Sequence, residues 1–478
     1  MKEKETMEKL LERQTRYAKW QCLLLSVVTL FCAGVFFVVL IALPRLRSFS
    51  GQLTTALSEL ERLAVQTETI LVNLDTVTEL KAGDKVYSVA RGKNVTMAVI
   101  GTEEVAKGVN IVGSHIDSPR LDLKQNPLYE AEGMALLKTH YYGGVRKYQW
   151  VARPLALYGV VIKADGTSVE INIGDEENDP IFYISDLLPH LAADQNKKTL
   201  AEGIGGEDLN AMIGSLPMGD EKAEIRFKKN VLTLLNEKYG MVEEDFVSAE
   251  LELVPAGKAR DIGLDRGSIA AYGHDDRVCA YTSMQALFEV AAQPIKRTAI
   301  ALFVDKEEVG SNGNTGMHSR YFANVLGTMI ELQRGTCNGF DIDRCMAKSA
   351  LLSSDVAAAS DPNWPGVAEA RNTAYLGKGV TIVKYTGSRG KGGCNDANAE
   401  FVGEVRKCLN DAGVVWQTSE LGKVDQGGGG TIAFILANAD MDVLDIGVPV
   451  LSMHAPFEVI SKADLYSTAQ AYRAFYLR

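Results

Sequence analysis

Five short strings carry imidazole and carboxylate groups just beyond apolar, strand-like runs. They are GSHIDSPR (113–120), GHDDR (273–277), VDKEEVGS (304–311), SSDVA (353–357) and SMHAP (452–456). Any one of them alone is an ordinary polar turn. Gathered in one cleft, their carboxylates are costly to bury unless a cation shares the space. A pair of metal ions removes that penalty. His115 can hold an ion through one ring nitrogen while Asp117 takes the other ring N–H, the usual partner of a ligating imidazole. Asp275 has two oxygens and can bridge two ions, with Asp276 or Arg277 fixing its orientation. Glu307 and Glu308 are adjacent and therefore point apart; one can bind metal while the other takes a proton from water. Asp355 and His454 would complete the two shells. Mixed N/O donors without cysteine suit zinc, with cobalt or manganese as alternatives.

The elements around these strings set their positions. VYSVAR, TMAVIG and VNIVGSHID read as successive strands, and from Ser268 onward strands alternate with helices. That alternation predicts an α/β fold, a mostly parallel sheet flanked by helices. The stretch from about 131 to 263 lacks the alternation and reads as a β-rich insertion. It splits the α/β domain into parts at 81–130 and 264–478. The run GGGG at 427–430 lets backbone approach a ligand closely.

The chain has 478 residues, 46% hydrophobic and 23% charged, which excludes wholesale disorder and collagen. A net charge of −11 gains nothing from counterion release, so no nucleic-acid partner is expected. The seven cysteines are scattered and never in C-x-x-C spacing, which speaks for reduced thiols. Residues 1–20 form a polar tail. Gln21 to Leu43 is 23 residues without a charge. As a helix it would extend ~35 Å, enough for a hydrocarbon layer of ~30 Å. A single-pass transmembrane helix is expected there, and with it a membrane location. Lys9, Arg13, Arg16 and Lys19 precede the span and Arg45 and Arg47 follow it, a balance favouring a cytoplasmic N-terminus. Leu53, Leu57, Leu60, Ala64, Thr67, Leu71 and Leu74 then mark a helical stripe, so 44–80 is expected to be a helical stalk.

The five strings, in this order, resemble the aspartyl aminopeptidase / aminopeptidase I family of dinuclear metallopeptidases over about residues 85–478. The first 80 residues do not fit that family. The resemblance implies a catalytic α/β domain interrupted by a β-rich dimerisation domain, and a homo-oligomer built of dimers, typically a tetrahedral dodecamer. It implies that His115, Asp275 and Asp355 bind one ion and Asp275, Glu308 and His454 the other. Glu307 then serves as general base and acid, and Asp117 orients His115. The implied reaction removes the N-terminal residue of a peptide substrate through a metal-bridged hydroxide. By the same resemblance, His190 in YISDLLPHLA reaches into a neighbouring subunit's site. In KYTGSRGKGG (384–393), Lys384 is the cation expected to pair with an acidic first residue, Asp or Glu. Two other readings fit the same strings: a dinuclear deacylase acting on acyl amino acids, and an inactive membrane-anchored scaffold.

Overall fold

The computed structural model describes residues 71–389, 391–392 and 395–478. The central sheet has nine strands. From one edge they run Val72–Asn73, Lys85–Ala90, Asn94–Val99, Ala299–Val304, Asn110–His115, Ala350–Ser354, Asp442–Gly447, Val380–Val383 and Trp416–Thr418. The three strands that carry site residues, 299–304, 110–115 and 350–354, are neighbours and mutually parallel. Their side chains alternate between two buried faces. Ile300, Leu302 and Val304 enter one core with Phe322, Leu326 and Ile330 of the helix Tyr321–Arg334. Ala299, Ala301 and Phe303 enter the other with Leu287, Phe401, Tyr472 and Phe475 of three further helices. Burial on both sides is why these strands read as unbroken apolar runs.

A second sheet, of seven strands, is wholly antiparallel. Six strands close into a ring: Ala249–Pro255, Arg120–Ala131, Met134–Tyr142, Ala211–Gly214, Phe182–Tyr183 and Pro154–Ile162, the last pairing again with the first. Leu121, Leu137, Trp150, Leu155 and Leu253 fill it. Residues 120–130, expected in the first catalytic segment, belong to this ring. They form one arm of a hairpin that turns at Glu132 and Gly133, both at positive φ, and the pairing with 134–142 draws them in.

A third sheet of five strands includes Ser268–Ala271, Glu458–Ser461 and Pro449–Leu451. The cysteines Cys279, Cys337, Cys345 and Cys408 are free thiols.

The N-terminal expectations meet the structure only in part. The tail, the span at 21–43 and the stalk up to residue 70 lie outside the described residues. Among the described residues, no helix is long and apolar enough to cross a membrane. Over 71–80 the expected stalk helix is replaced by the strand Val72–Asn73, paired with Lys85–Ala90, and a 3-10 turn at Leu74–Thr76. The Asn73 side chain accepts the N–H of Asp75, which starts the turn. Leu74 and Leu80 are buried in the sheet's core, so part of the leucine stripe belongs to that core.

Candidate metal centre

Parallel register brings the strings together. Val304 is paired with His115 across the sheet, so the chain leaving 299–304 delivers Glu307 and Glu308 beside the end of 110–115. Ser353 is paired with Gly113 on the other flank, which delivers Asp355. These are carboxyl ends of adjacent strands, where α/β sheets hold ligands. Asp275 sits in the first turn of the helix His274–Val290, in non-helical conformation, and its peptide bond to Asp276 is cis. His454 lies in the loop between Pro449–Leu451 and Glu458–Ser461, at φ 64°.

Asp275 is the hub. Its Oδ1 lies 3.1 Å from His115 Nε2 and its Oδ2 3.1 Å from His454 Nε2. Glu308 Oε2 is 3.5 Å from the same His454 nitrogen. Asp355 Oδ1 and Glu307 Oε2 stand 3.9 and 4.0 Å from His115 Nε2. The other nitrogen of His115 meets Asp117, 3.0 Å from its carbonyl and 3.3 Å from its carboxylate. Asp117 also accepts the N–H groups of Glu307 and Glu308 and the hydroxyl of Tyr142. One carboxylate thus orients the imidazole and fixes the glutamate turn.

Some of these contacts escaped the sequence reading. Tyr142 and Gly144 come from the β-rich part. The Gly144 carbonyl lies 3.2 Å from His454 Nδ1, which leaves Nε2 facing Asp275. Glu458, also missed, accepts the N–H of Asp275 and that of His454. Its only sequence signal is a carboxylate at the head of a short apolar strand, four residues past His454. Asp276, expected to orient Asp275, accepts the N–H of His115 with Oδ2, while its Oδ1 is buried without a hydrogen-bond partner. Arg277 turns away to the Gly273 carbonyl and the Tyr272 ring.

The electrostatics are those of a crowded anionic pocket. Burial pushes Glu308 up to about 8, with Asp275 adding to it. Burial and Asp276 push Asp355 well above the carboxylate range. Glu307 is raised by burial too, against the pull of His115. Burial would lower His115 and His454, but contacts to Asp117 and Asp275 lift the first well above its ordinary value. Asp275 and Glu308 lift the second to about 9. Asp275 is held below the usual range, since its two imidazole contacts outweigh its burial, and against burial His115, Tyr142 and the Glu308 N–H lower Asp117 as well. Neutralising this cluster takes protons or cations.

The donors fit cations. His115, Asp275 and Glu308 present ligand atoms within 4.8 Å of one another, as do His115, Asp276 and Asp355. Glu308 Oε1 is buried with no hydrogen-bond partner, an orphaned oxygen in the middle of the group. The set is nitrogen and oxygen only, as zinc hydrolase sites use. The cluster opens onto a cavity of about 650 Å³, walled also by Val356, Ala358, Met453 and Phe434. The ribbon Gly387–Ser388 paired with Gly428–Gly429 forms a further wall. A Cβ on Gly428 would meet Ser388 at 2.5 Å, so the glycine run permits this close approach.

The structure does not bring every expected residue here. Lys384 bonds Asp396 at 2.6 Å and is absent from the cavity wall; Asp396 also takes Lys391. Its charge is already matched, which corrects the expectation that Lys384 faces the substrate. His190 is exposed on the 3-10 turn Pro189–Leu191 of the β-rich part and makes no contact with the cluster of its own chain. His274 is buried against the Ile269 carbonyl, and burial lowers it to about 4, a neutral packing residue.

The contact at Gly144 gives a direct test. A Cβ there would come within 2.7 Å of His454 Nδ1. Gly144→Ala is expected to displace the imidazole and weaken zinc binding at least about tenfold, the usual effect of disturbing a ligand's support. Chelator competition measures it, and unchanged affinity would refute the role given to this carbonyl.

The chain is similar to known zinc metalloproteases. A family profile described as aminopeptidase I zinc metalloprotease (M18) matches residues 56–476. A probable M18 family aminopeptidase 1 from Clostridium acetobutylicum is 56% identical over 399 residues, 83% of this chain and 84% of that protein. The crystal structure of an M18 aminopeptidase from Thermotoga maritima superposes with a TM-score of 0.82 at 46% identity, covering 88% of this chain and 91% of that one. A Saccharomyces cerevisiae structure described as a dodecamer shares the fold at 20% identity and a TM-score of 0.67, with 89% and 92% covered. The chain belongs to the aminopeptidase I (M18) family of zinc metalloproteases and is a zinc aminopeptidase.

Proposed function

We propose that Glu307 is the proton-transferring residue of peptide hydrolysis and that His115, Asp275, Glu308, Asp355 and His454 hold the two zinc ions. The observation that carries this is the divergence of two adjacent glutamates. Glu308 turns to His454 and Asp275, whereas Glu307 stays outside both ligand groups and lines the cavity. Zinc bound there supplies carbonyl polarisation and a water acidified from about 15.7 toward ~7. The protein's own share is positional. Asp117 holds both glutamate amides, so the Glu307 carboxylate is fixed toward the cavity. Burial raises its proton affinity, which suits a group that takes a proton from water and returns it to the leaving amine. Asp117 and the Gly144 carbonyl set the ring orientations of His115 and His454. Glu307→Gln is expected to lower kcat by about 10²–10⁴-fold while both zinc ions stay bound by elemental analysis. Near-wild-type turnover would remove Glu307 from this role.

For the first residue, an acidic preference is carried by Arg389 and Lys423 in place of Lys384. Both line the cavity, and neither forms an ion pair among the described residues. In a series of Asp-, Glu- and Leu-arylamides the acidic substrates are expected to be favoured. Arg389→Ala should reduce kcat/KM for them about tenfold, the loss of one charge-assisted contact, and spare Leu. Equal losses on all three would contradict the reading.

We further read the protein as a homo-oligomer in which His190 enters a neighbour's cavity. Its exposure on the β-rich part supports this. Oligomers mixed from Glu307→Gln and His190→Ala chains should then regain activity that neither parent has, by pairing an intact centre with an intact His190. Mixtures no more active than the parents would count against it. Membrane attachment through residues 21–43 rests on the uncharged run alone, and co-sedimentation with membranes tests it.

A further inference from the structure

We propose that Glu458 is a positioning residue that sets the spacing between Asp275 and His454, and through it the affinity of the zinc site these two share. The inference rests on the metal reading above. The two residues lie 179 positions apart and are held by different segments, one opening a helix and one in a loop. Glu458 joins them with one carboxylate. Its Oε2 accepts the backbone N–H of Asp275 at 3.0 Å, and its Oε1 that of His454 at 2.7 Å.

The fold builds this clamp deliberately into the third sheet. Glu458 is paired with Ala271, a few residues before Asp275. The following residue, Val459, is paired with Leu451, three residues before His454. The carboxylate therefore emerges between the two loops it ties. It is 1% exposed, so no solvent competes for its oxygens. His454 needs such a tie, because it holds φ 64°, a left-handed conformation that side-chain-bearing residues adopt only when their surroundings impose it. The clamp acts on main chain, whereas Asp117 and Gly144 act on the imidazole rings. Together they fix both where the ligands stand and which atom faces the ion.

Glutamine in place of Glu458 keeps the shape. Its amide oxygen still accepts one N–H, but its NH₂ confronts the other. In the full chain, Glu458→Gln is expected to weaken one of the two zinc ions, the one held between Asp275 and His454, by about 10–100-fold, the range seen when a ligand's support is removed. Zinc titration against a chromophoric chelator reads this directly, and added zinc should restore turnover with KM unchanged. Glu458→Asp keeps the carboxyl group but is one methylene short of spanning both amides. It should show the same loss, and it carries the test should the Gln form not fold. Wild-type affinity for both ions in a folded variant would overturn the proposal, as would lower thermal stability without a change in zinc affinity. If the unaltered chain binds two zinc ions yet cleaves no peptide, the functional reading fails and the clamp is still judged on affinity alone.

Discussion

Mutual repulsion among buried carboxylates is the constraint around which this protein is organised. Asp275, Asp276, Glu308 and Asp355 converge at the floor of the cavity, where burial weakens solvent screening, with Glu307 beside them. In a buried site such charges are tolerable only when paired or shared with a cation. Imidazoles on either side of Asp275 lower its burden, and protons on its neighbours can do the rest, but a pair of divalent ions would do so at neutral pH without protonating Glu307. The site is then unfavourable when empty, and its binding free energy goes into holding ions tightly.

Holding such a group in place requires rigid support, and the architecture provides it from three sheets. Three parallel strands of the central sheet, packed on both faces, deliver His115, the glutamate pair and Asp355 in register. The third sheet delivers His454 and ties it to Asp275 through Glu458. The β-rich ring reaches back with Tyr142 and Gly144. It thus supports the chemistry as well as any contact with other subunits. A disturbance in any one sheet would move one member of the cluster relative to the others.

Much of this was legible from residue types. His115 and Glu308 sit just past apolar runs that any parallel sheet would bring side by side, whereas Asp275 and His454 follow antiparallel-paired strands of the third sheet. Their supports were harder to see. Glu458 heads a strand, where an acidic residue has many ordinary reasons to be. Lys384 looks available in the sequence because its partner Asp396 is twelve residues away and meets it only because the chain doubles back between Tyr385 and Asp396, which are bridged antiparallel. The start of the β-rich part was placed late because RLDLKQNPLYEA is an acceptable strand in either sheet, and only the hairpin at Glu132 and Gly133 decides between them. The leucine stripe ending at Leu74 has helical spacing, yet tertiary burial of Leu74 in a 3-10 turn overrode it.

The central claim is that two zinc ions share the Asp275 carboxylate. Anomalous diffraction at the zinc edge, on crystals grown with zinc, tests it most directly. The account predicts two peaks in the cavity, flanking Asp275, one beside His115 and Asp355 and the other beside Glu308 and His454. A single peak, or peaks elsewhere with Asp275 still hydrogen-bonded to both imidazoles, would contradict it.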